Sequence, residues 1–130
     1  DVKAAQVVFD SGVPLVQIPC QPVASHLLTT LAELERFVQG RGAIGDYLVE
    51  IFTTYSKDHF AYAKVIWDIS AVAWLLDASW VPTDVVHSPV LTAEKTWSHN
   101  PARHFMRVAR SVRRDAIFRD LFEKLERRAG

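Results

Sequence analysis

Residues 1–19 read DVKAAQVVFDSGVPLVQIP, and two periodicities meet in them. Ala4, Ala5, Val8 and Phe9 recur at helical spacing, Asp1 is placed to cap the start, and Gly12 suits a left-handed exit. VPLVQIP is then a short apolar run with β-branched residues between turn signals, which reads as a buried strand. Helix, glycine turn and buried strand in that order predict an α/β fold. A continuous apolar strand is normally paired on both edges and covered on both faces. The remaining sequence offers few other strands and no clear parallel neighbour. The strand is therefore expected to belong to a larger sheet whose other members lie outside this sequence. The chain opens on a helix cap without an initiator methionine, and so reads as part of a domain.

Downstream, Thr30-Leu31-Ala32-Glu33 has the spacing of a capping box, with Glu33 able to reach back to the Thr30 amide. That helix is expected to carry Leu31, Leu34, Phe37 and Val38 inward and to stop near Gly40. Residues 43–55 place Ile44, Leu48, Ile51 and Phe52 at helical spacing. The following SKDHFAYAK lacks a clear period and reads as a loop or mobile helical turn. ISAVAWLLDAS, residues 69–79, predicts a short helix buried nearly all round. Asn100-Pro101 is a turn signal between two extended segments, 89–99 and 103–112, and predicts a late β-hairpin. The final RRDAIFRDLFEKLERRAG is an amphipathic helix whose stripe is Ile117, Phe118, Leu121, Phe122 and Leu125.

The 130 residues make one domain's worth of chain. Lys plus Arg and Asp plus Glu each number 15, so the formal charge is zero. That balance gives no electrostatic case for nucleic acid or an anionic membrane surface. A hydrophobic fraction of 49% argues for a packed chain. The single cysteine, Cys20, excludes an internal disulfide, fits a reducing compartment and is expected to be a buried, inert thiol. The apolar stretches fall below the roughly 20 residues of a membrane span. A cytoplasmic protein is the expectation.

Gly-rich phosphate loops, GxSxG, HExxH and paired-cysteine metal motifs are all missing. His99 and His104 flank the Asn100-Pro101 turn and could share a metal, although surface polar residues are the simpler reading. Asp68 is the informative carboxylate. It follows one apolar run and opens another, KVIWDISAVAWLL. It could cap the helix beginning at Ile69. It could also ligate a hard cation such as Ca²⁺, which takes about six to eight oxygens and so needs partners from elsewhere. Trp74 and Trp80 read as core fillers. Trp67, directly before the candidate ligand, could offer its flat face to a nucleobase.

These passages resemble the nucleoside hydrolase family, the inosine-uridine preferring type and its purine-preferring relatives. DVKAAQVVFDSGVPLVQIP is similar to the family's Asp-Pro-Glu-Ala-Ala…Val-Phe…Ser-Gly-Val-Pro-Leu helix, turn and strand. WDISAVAWLLDASW is similar to the helix that opens with the family's C-terminal Ca²⁺-ligating aspartate, His-Asp-x-x-Ala-Val-Ala. The order and spacing match the C-terminal part of a single mixed-sheet α/β domain, so residues 1–130 would be that portion, helix-rich with a late β-hairpin. The resemblance implies hydrolysis of the N-glycosidic bond of ribonucleosides to base and ribose, as in purine salvage, with Ca²⁺ as cofactor. By position Asp68 matches the late Ca²⁺ ligand. Trp67 stands where many members have a histidine, and purine-preferring relatives have a tryptophan, so a purine nucleoside is favoured. Asp58, His59 and Tyr62 fall in a segment that closes over substrate in the family. Two family features are absent: the aspartate-rich Asp-x-Asp-x-Gly-x-Asp-Asp stretch, which supplies the general base and the other ligands, and the Glu-Phe-Asn ribose contact. No catalytic residue is therefore assigned within the chain, which alone is expected to be inactive. The competing expectation is a truncated chain that keeps the fold as a non-catalytic binding or assembly module. Such a chain could associate through its incomplete sheet, as a homo-oligomer for example.

Overall fold

The computed structural model describes residues 1–127. Helix α1 spans Val2–Asp10, and the Asp1 carboxylate accepts the Ala4 amide hydrogen at 3.0 Å, satisfying one of the free amides at the helix start. Gly12 has φ +74°, the left-handed exit that its lack of a Cβ permits. Strand β1, Val16–Gln17, follows, then β2, Leu28–Thr29, and α2, Leu31–Phe37. Helix α3 is Ala43–Tyr55, β3 is Lys64–Val65 and α4 is Ile69–Leu76. Strands β4 (Thr83–His87), β5 (Val90–Leu91), β6 (Trp97–Ser98) and β7 (Phe105–Ala109) precede α5, Arg114–Arg127. The last residues of the predicted terminal helix, 128–130, lie outside the described residues.

The main sheet is mixed, in the order β1-β7-β4. β1 runs parallel to β7, with Val16 opposite Arg107, while β4 runs antiparallel to β7 from Thr83 opposite Ala109 to His87 opposite Phe105. Two expectations are corrected here. β1 does have a parallel neighbour within the chain, and it is half-buried, with no described strand on its other edge. The predicted single hairpin is also redistributed. Residues 90–91 and 97–98 form their own small hairpin, and the long partner of β7 is β4, which the sequence reading missed. Asn100 still opens a turn, its carbonyl accepting the Arg103 amide hydrogen at 3.3 Å.

One core cluster gathers Val23, Leu27, Ala73, Val81, Ala109, Ile117 and Phe118 from across the chain. Leu27, Val81 and Phe118 are essentially sealed, each burial worth about 1.5–3 kcal/mol. Trp74 and Trp80 pack partly against this cluster, as expected of core fillers. A second cluster joins Leu34, Val38, Val49 and Phe52. Helix α5 serves both, its apolar stripe placing Ile117 and Phe118 in the first and Phe122 and Leu125 against the second. Several predicted inward residues point out. Ile44 and Ile51 are exposed, because α3 buries its Gly45-Val49-Phe52 face instead. Phe37 is exposed yet stacks on Phe122 at 5.7 Å between ring centres. α4 is not buried all round: Ser70 and Ala73 are inside, while Val72, Leu76 and the 76%-exposed Leu75 face outward. Cys20 is exposed, not buried. Among the described residues, no helix is long and apolar enough to cross a membrane.

Candidate functional site

β2 and β3 pair as an antiparallel ribbon, Leu28 opposite Val65 and Thr29 opposite Lys64. The Ile66 amide extends the pairing by donating to the Leu27 carbonyl at 2.9 Å. Trp67 and Asp68 are the two residues between this register and the first turn of α4. Ile66 and Ile69, which flank them, both pack against the main core. The pair is thus pinned on either side while its own side chains remain accessible. Trp67 is 37% exposed and Asp68 is exposed.

Asp68 occupies the N-cap position of α4, but its carboxylate makes no capping hydrogen bond. The reason is its backbone. With φ −65° and ψ −24° it is already helical, whereas a capping residue usually takes extended dihedrals that swing its side chain back toward the helix amides. The Ser70 amide hydrogen goes to the Trp67 carbonyl at 3.0 Å. The capping expectation is therefore corrected, and among the described residues the Asp68 carboxylate has no partner.

The ribbon that delivers this pair is clasped by two helix starts. Thr29, 1% exposed, donates its hydroxyl hydrogen to Glu33 Oε2 at 2.6 Å. Arg114, at the first position of α5, donates through Nε to the Leu28 carbonyl at 2.9 Å, pairs with the Glu33 carboxylate, and lies 4.3 Å from the centre of the Phe118 ring. Burial alone would pull the Arg114 guanidinium down, but its bonds to Glu33 and Asp115 outweigh that and hold it above its ordinary value. Glu33 thus spends its carboxylate on Thr29 and Arg114, not on the Thr30 amide expected of a capping box, while Thr30 Oγ1 does accept the Glu33 amide hydrogen at 3.2 Å. One signal in the sequence pointed to this clasp. An arginine at a helix start opposes the macrodipole, so it calls for a carboxylate from elsewhere.

Asp58, His59 and Tyr62 are placed apart from that pair. Asp58 holds its own turn, its Oδ1 accepting the Phe60 amide hydrogen at 2.9 Å. The His59 ring lies 5.9 Å from Phe52 and 5.8 Å from Tyr62 between ring centres. Its Nε2 is 3.0 Å from the Thr53 carbonyl, to which it donates, and its buried Nδ1 has no partner among the described residues. His59 and Tyr62 share a hollow of about 490 Å³ with Thr30, Leu31, Ala32 and Glu35, whose wall does not include Trp67 or Asp68. Of the two histidines flanking the Asn100-Pro101 turn, His99 meets His87 at 6.3 Å between ring centres, and His104 Nε2 is buried with no partner among the described residues. Among the described residues, no three metal-ligating side chains converge.

This arrangement of elements is found in proteins of known structure. A purine-preferring ribonucleoside hydrolase from Gardnerella vaginalis aligns over 97% of this chain with a TM-score of 0.74 and 20% identity. The fold is that of a nucleoside hydrolase. A plant nucleoside hydrolase aligns over 98% of the chain with a TM-score of 0.72 and 18% identity. The chain spans 44% of the length of each, so the nucleoside hydrolase fold is present here in part. No protein-family model and no curated protein matches the sequence.

Proposed function

We propose that this chain is the C-terminal portion of a Ca²⁺-dependent ribonucleoside hydrolase that cleaves the N-glycosidic bond, releasing base and ribose, with purine nucleosides favoured. The observation that carries the reading is the backbone match to two nucleoside hydrolases over nearly the whole chain. The accessible Trp67-Asp68 pair at the start of α4 supports it, because it sets an exposed indole face beside a carboxylate free of capping bonds.

The donor set in the chain fits Ca²⁺ only in part. Asp68 offers a carboxylate that no group among the described residues competes for, as a metal ligand should. One residue cannot supply about six to eight oxygens, and the described residues hold no cluster to complete the set. The remaining ligands and the general base would come from polypeptide beyond these residues. When bound, such an ion would supply Lewis-acid activation of water and anchorage for sugar hydroxyls. Asp68 would be this chain's carboxylate ligand to such an ion. Trp67's part is to stack on the base, which favours the larger purine surface and steadies the departing base. Tyr62 and His59 would approach the nucleoside by movement of the segment 56–64, where Phe60 is 90% exposed. Asp58 would contribute least, because its carboxylate already holds the turn. An exposed, unpaired Cys20 is compatible with a cytoplasmic setting.

The test is base release from inosine, adenosine and uridine by the longest polypeptide the gene encodes around this chain, with and without Ca²⁺. Ca²⁺-dependent release, faster for the purines, is expected, while residues 1–130 alone release none. Binding of nucleoside without release would favour a non-catalytic module instead. That second reading draws on the described residues holding no cluster of three metal-ligating side chains.

A further inference from the structure

A hollow of about 270 Å³ lies between α3, α5 and the ribbon β2–β3. Its α3 wall is Leu48, Ile51, Phe52 and Tyr55, which recur at i, i+3, i+4 and i+7 and so form one stripe of the helix. Leu121 and Leu125 of α5 stand among the residues across from it. The space exceeds the ~150 Å³ apolar cavity that admits benzene and falls just short of the ~300 Å³ where ordinary ligand pockets begin. The elements around it are fixed, so it does not close by collapse. A Cβ on Gly45 would lie 2.6 Å from the Val38 carbonyl oxygen, so α3 is already as near to α2 as backbone allows. The ribbon is held by the clasp of Thr29, Glu33 and Arg114.

One charged residue enters this apolar wall, and it identifies the occupant. Lys64 sits opposite Thr29 in the antiparallel register, so both side chains leave the same face of the ribbon and both line the hollow. None of the lining residues is acidic. Lys64 Nζ lies 2.9 Å from the centre of the Tyr55 ring, and among the described residues it pairs with no carboxylate. Glu33, bonded to Thr29, is already paired with Arg114. A cation resting on an exposed ring is held less firmly than one bonded to a carboxylate, so an arriving anion can recruit it. Ile51 and Tyr55 are exposed while Phe52 is buried, which puts the opening at the Tyr55 end, beside that cation. An anionic head placed there keeps water on its outer side and escapes the cost of full burial.

We propose that this hollow binds a free medium-chain monocarboxylate, with its hydrocarbon chain against Leu48, Phe52 and Leu125 and its carboxylate bonded to Lys64 Nζ. The wall includes neither Trp67 nor Asp68, so the site stands or falls apart from the hydrolase reaction.

Calorimetric titration of the longest polypeptide the gene encodes around these residues, with octanoate, octan-1-ol and octylammonium, tests it. Octanoate should bind at one site per chain and at least about 10-fold more tightly than octan-1-ol, a margin suited to one charge-assisted hydrogen bond. Octylammonium should bind more weakly than either. Octan-1-ol is more apolar than octanoate, so partition into any greasy surface gives the reverse order. Octanol binding as tight as octanoate overturns the proposal, as does octanoate binding at several equivalent sites. Lys64→Met keeps the apolar stem and deletes the charge, and should weaken octanoate at least about 10-fold while changing octan-1-ol by less than about 2-fold. Equal weakening of both ligands overturns it. Methyl NMR places the ligand without any variant: octanoate should shift the methyl signals of Leu48, Leu121 and Leu125, and shifts that spare all three overturn it. Ile51→Trp, at the exposed opening, should abolish the binding of octanoate and octan-1-ol alike, and unchanged octanoate affinity in that variant overturns it.

Discussion

Asp68 and Arg114 show how two charged residues at helix starts can do opposite things. Asp68 has the residue type of a cap yet caps nothing, because its own dihedrals are helical. Arg114 stands at the wrong end of a helix for its charge and is held there by Glu33, the Leu28 carbonyl and the Phe118 ring. Asp68→Ala should therefore change the urea-unfolding free energy of residues 1–130 by less than about 0.5 kcal/mol, the usual range for a surface change. In the full gene product the same change should cut calorimetric Ca²⁺ affinity sharply, and unchanged affinity would remove Asp68 from the site. A stability loss of about 1 kcal/mol or more would restore it as a structural cap. Trp67→Ala should reduce turnover of purine nucleosides more than that of uridine. Equal losses would count against stacking.

The elements differ in how local their causes are. α1 and α5 form where the apolar stripe and the local chemistry of their ends place them, and Asp1 caps as its position requires. The ribbon β2–β3 is different. Each strand is two residues long, too short to hold itself, and it depends on α2 and α5 reaching in through Glu33 and Arg114. Arg114→Ala removes the donor to the Leu28 carbonyl and leaves Glu33 without its cation. The expected cost is about 1–3 kcal/mol in urea unfolding, with Arg114→Lys recovering only part. A loss below about 0.5 kcal/mol would mean the ribbon stands without the clasp. α4 and α3 were legible as helices, but their inner faces were not. Outward Leu75 and Ile44 are as apolar as any core residue, and periodicity alone cannot say which side of an apolar helix is covered.

At the scale of the whole molecule, many large apolar side chains are exposed, among them a group on one helix and a group on one sheet. Val72, Leu75 and Leu76 stand out from α4, and Val85 and Phe105 from the sheet. Solvent-exposed groupings of this kind mark surfaces meant for contact. Residues 1–130 should consequently bind the dye ANS at neutral pH while retaining a cooperative unfolding transition, and the longer gene product should bind much less. Comparable dye fluorescence in both would show that these faces stay open in the complete protein. On the proposed reading of this chain as one portion of a larger domain, the remainder would cover these faces.

From the amino-acid order alone, the helix–turn–strand opening, the amphipathic last helix, the position of Asp68 beside Trp67 and the resemblance to nucleoside hydrolases could all be read. Each depends on residues within a few turns of one another, where dihedral preference, capping and periodicity act. Tertiary structure alone decided that β7 lies beside β1, that β4 and not 89–99 is its long partner, that Cys20 is exposed and that the Asp68 carboxylate is left open. Those outcomes rest on contacts between residues far apart in the chain. A partner distant in sequence leaves no periodic trace in the strand it will join.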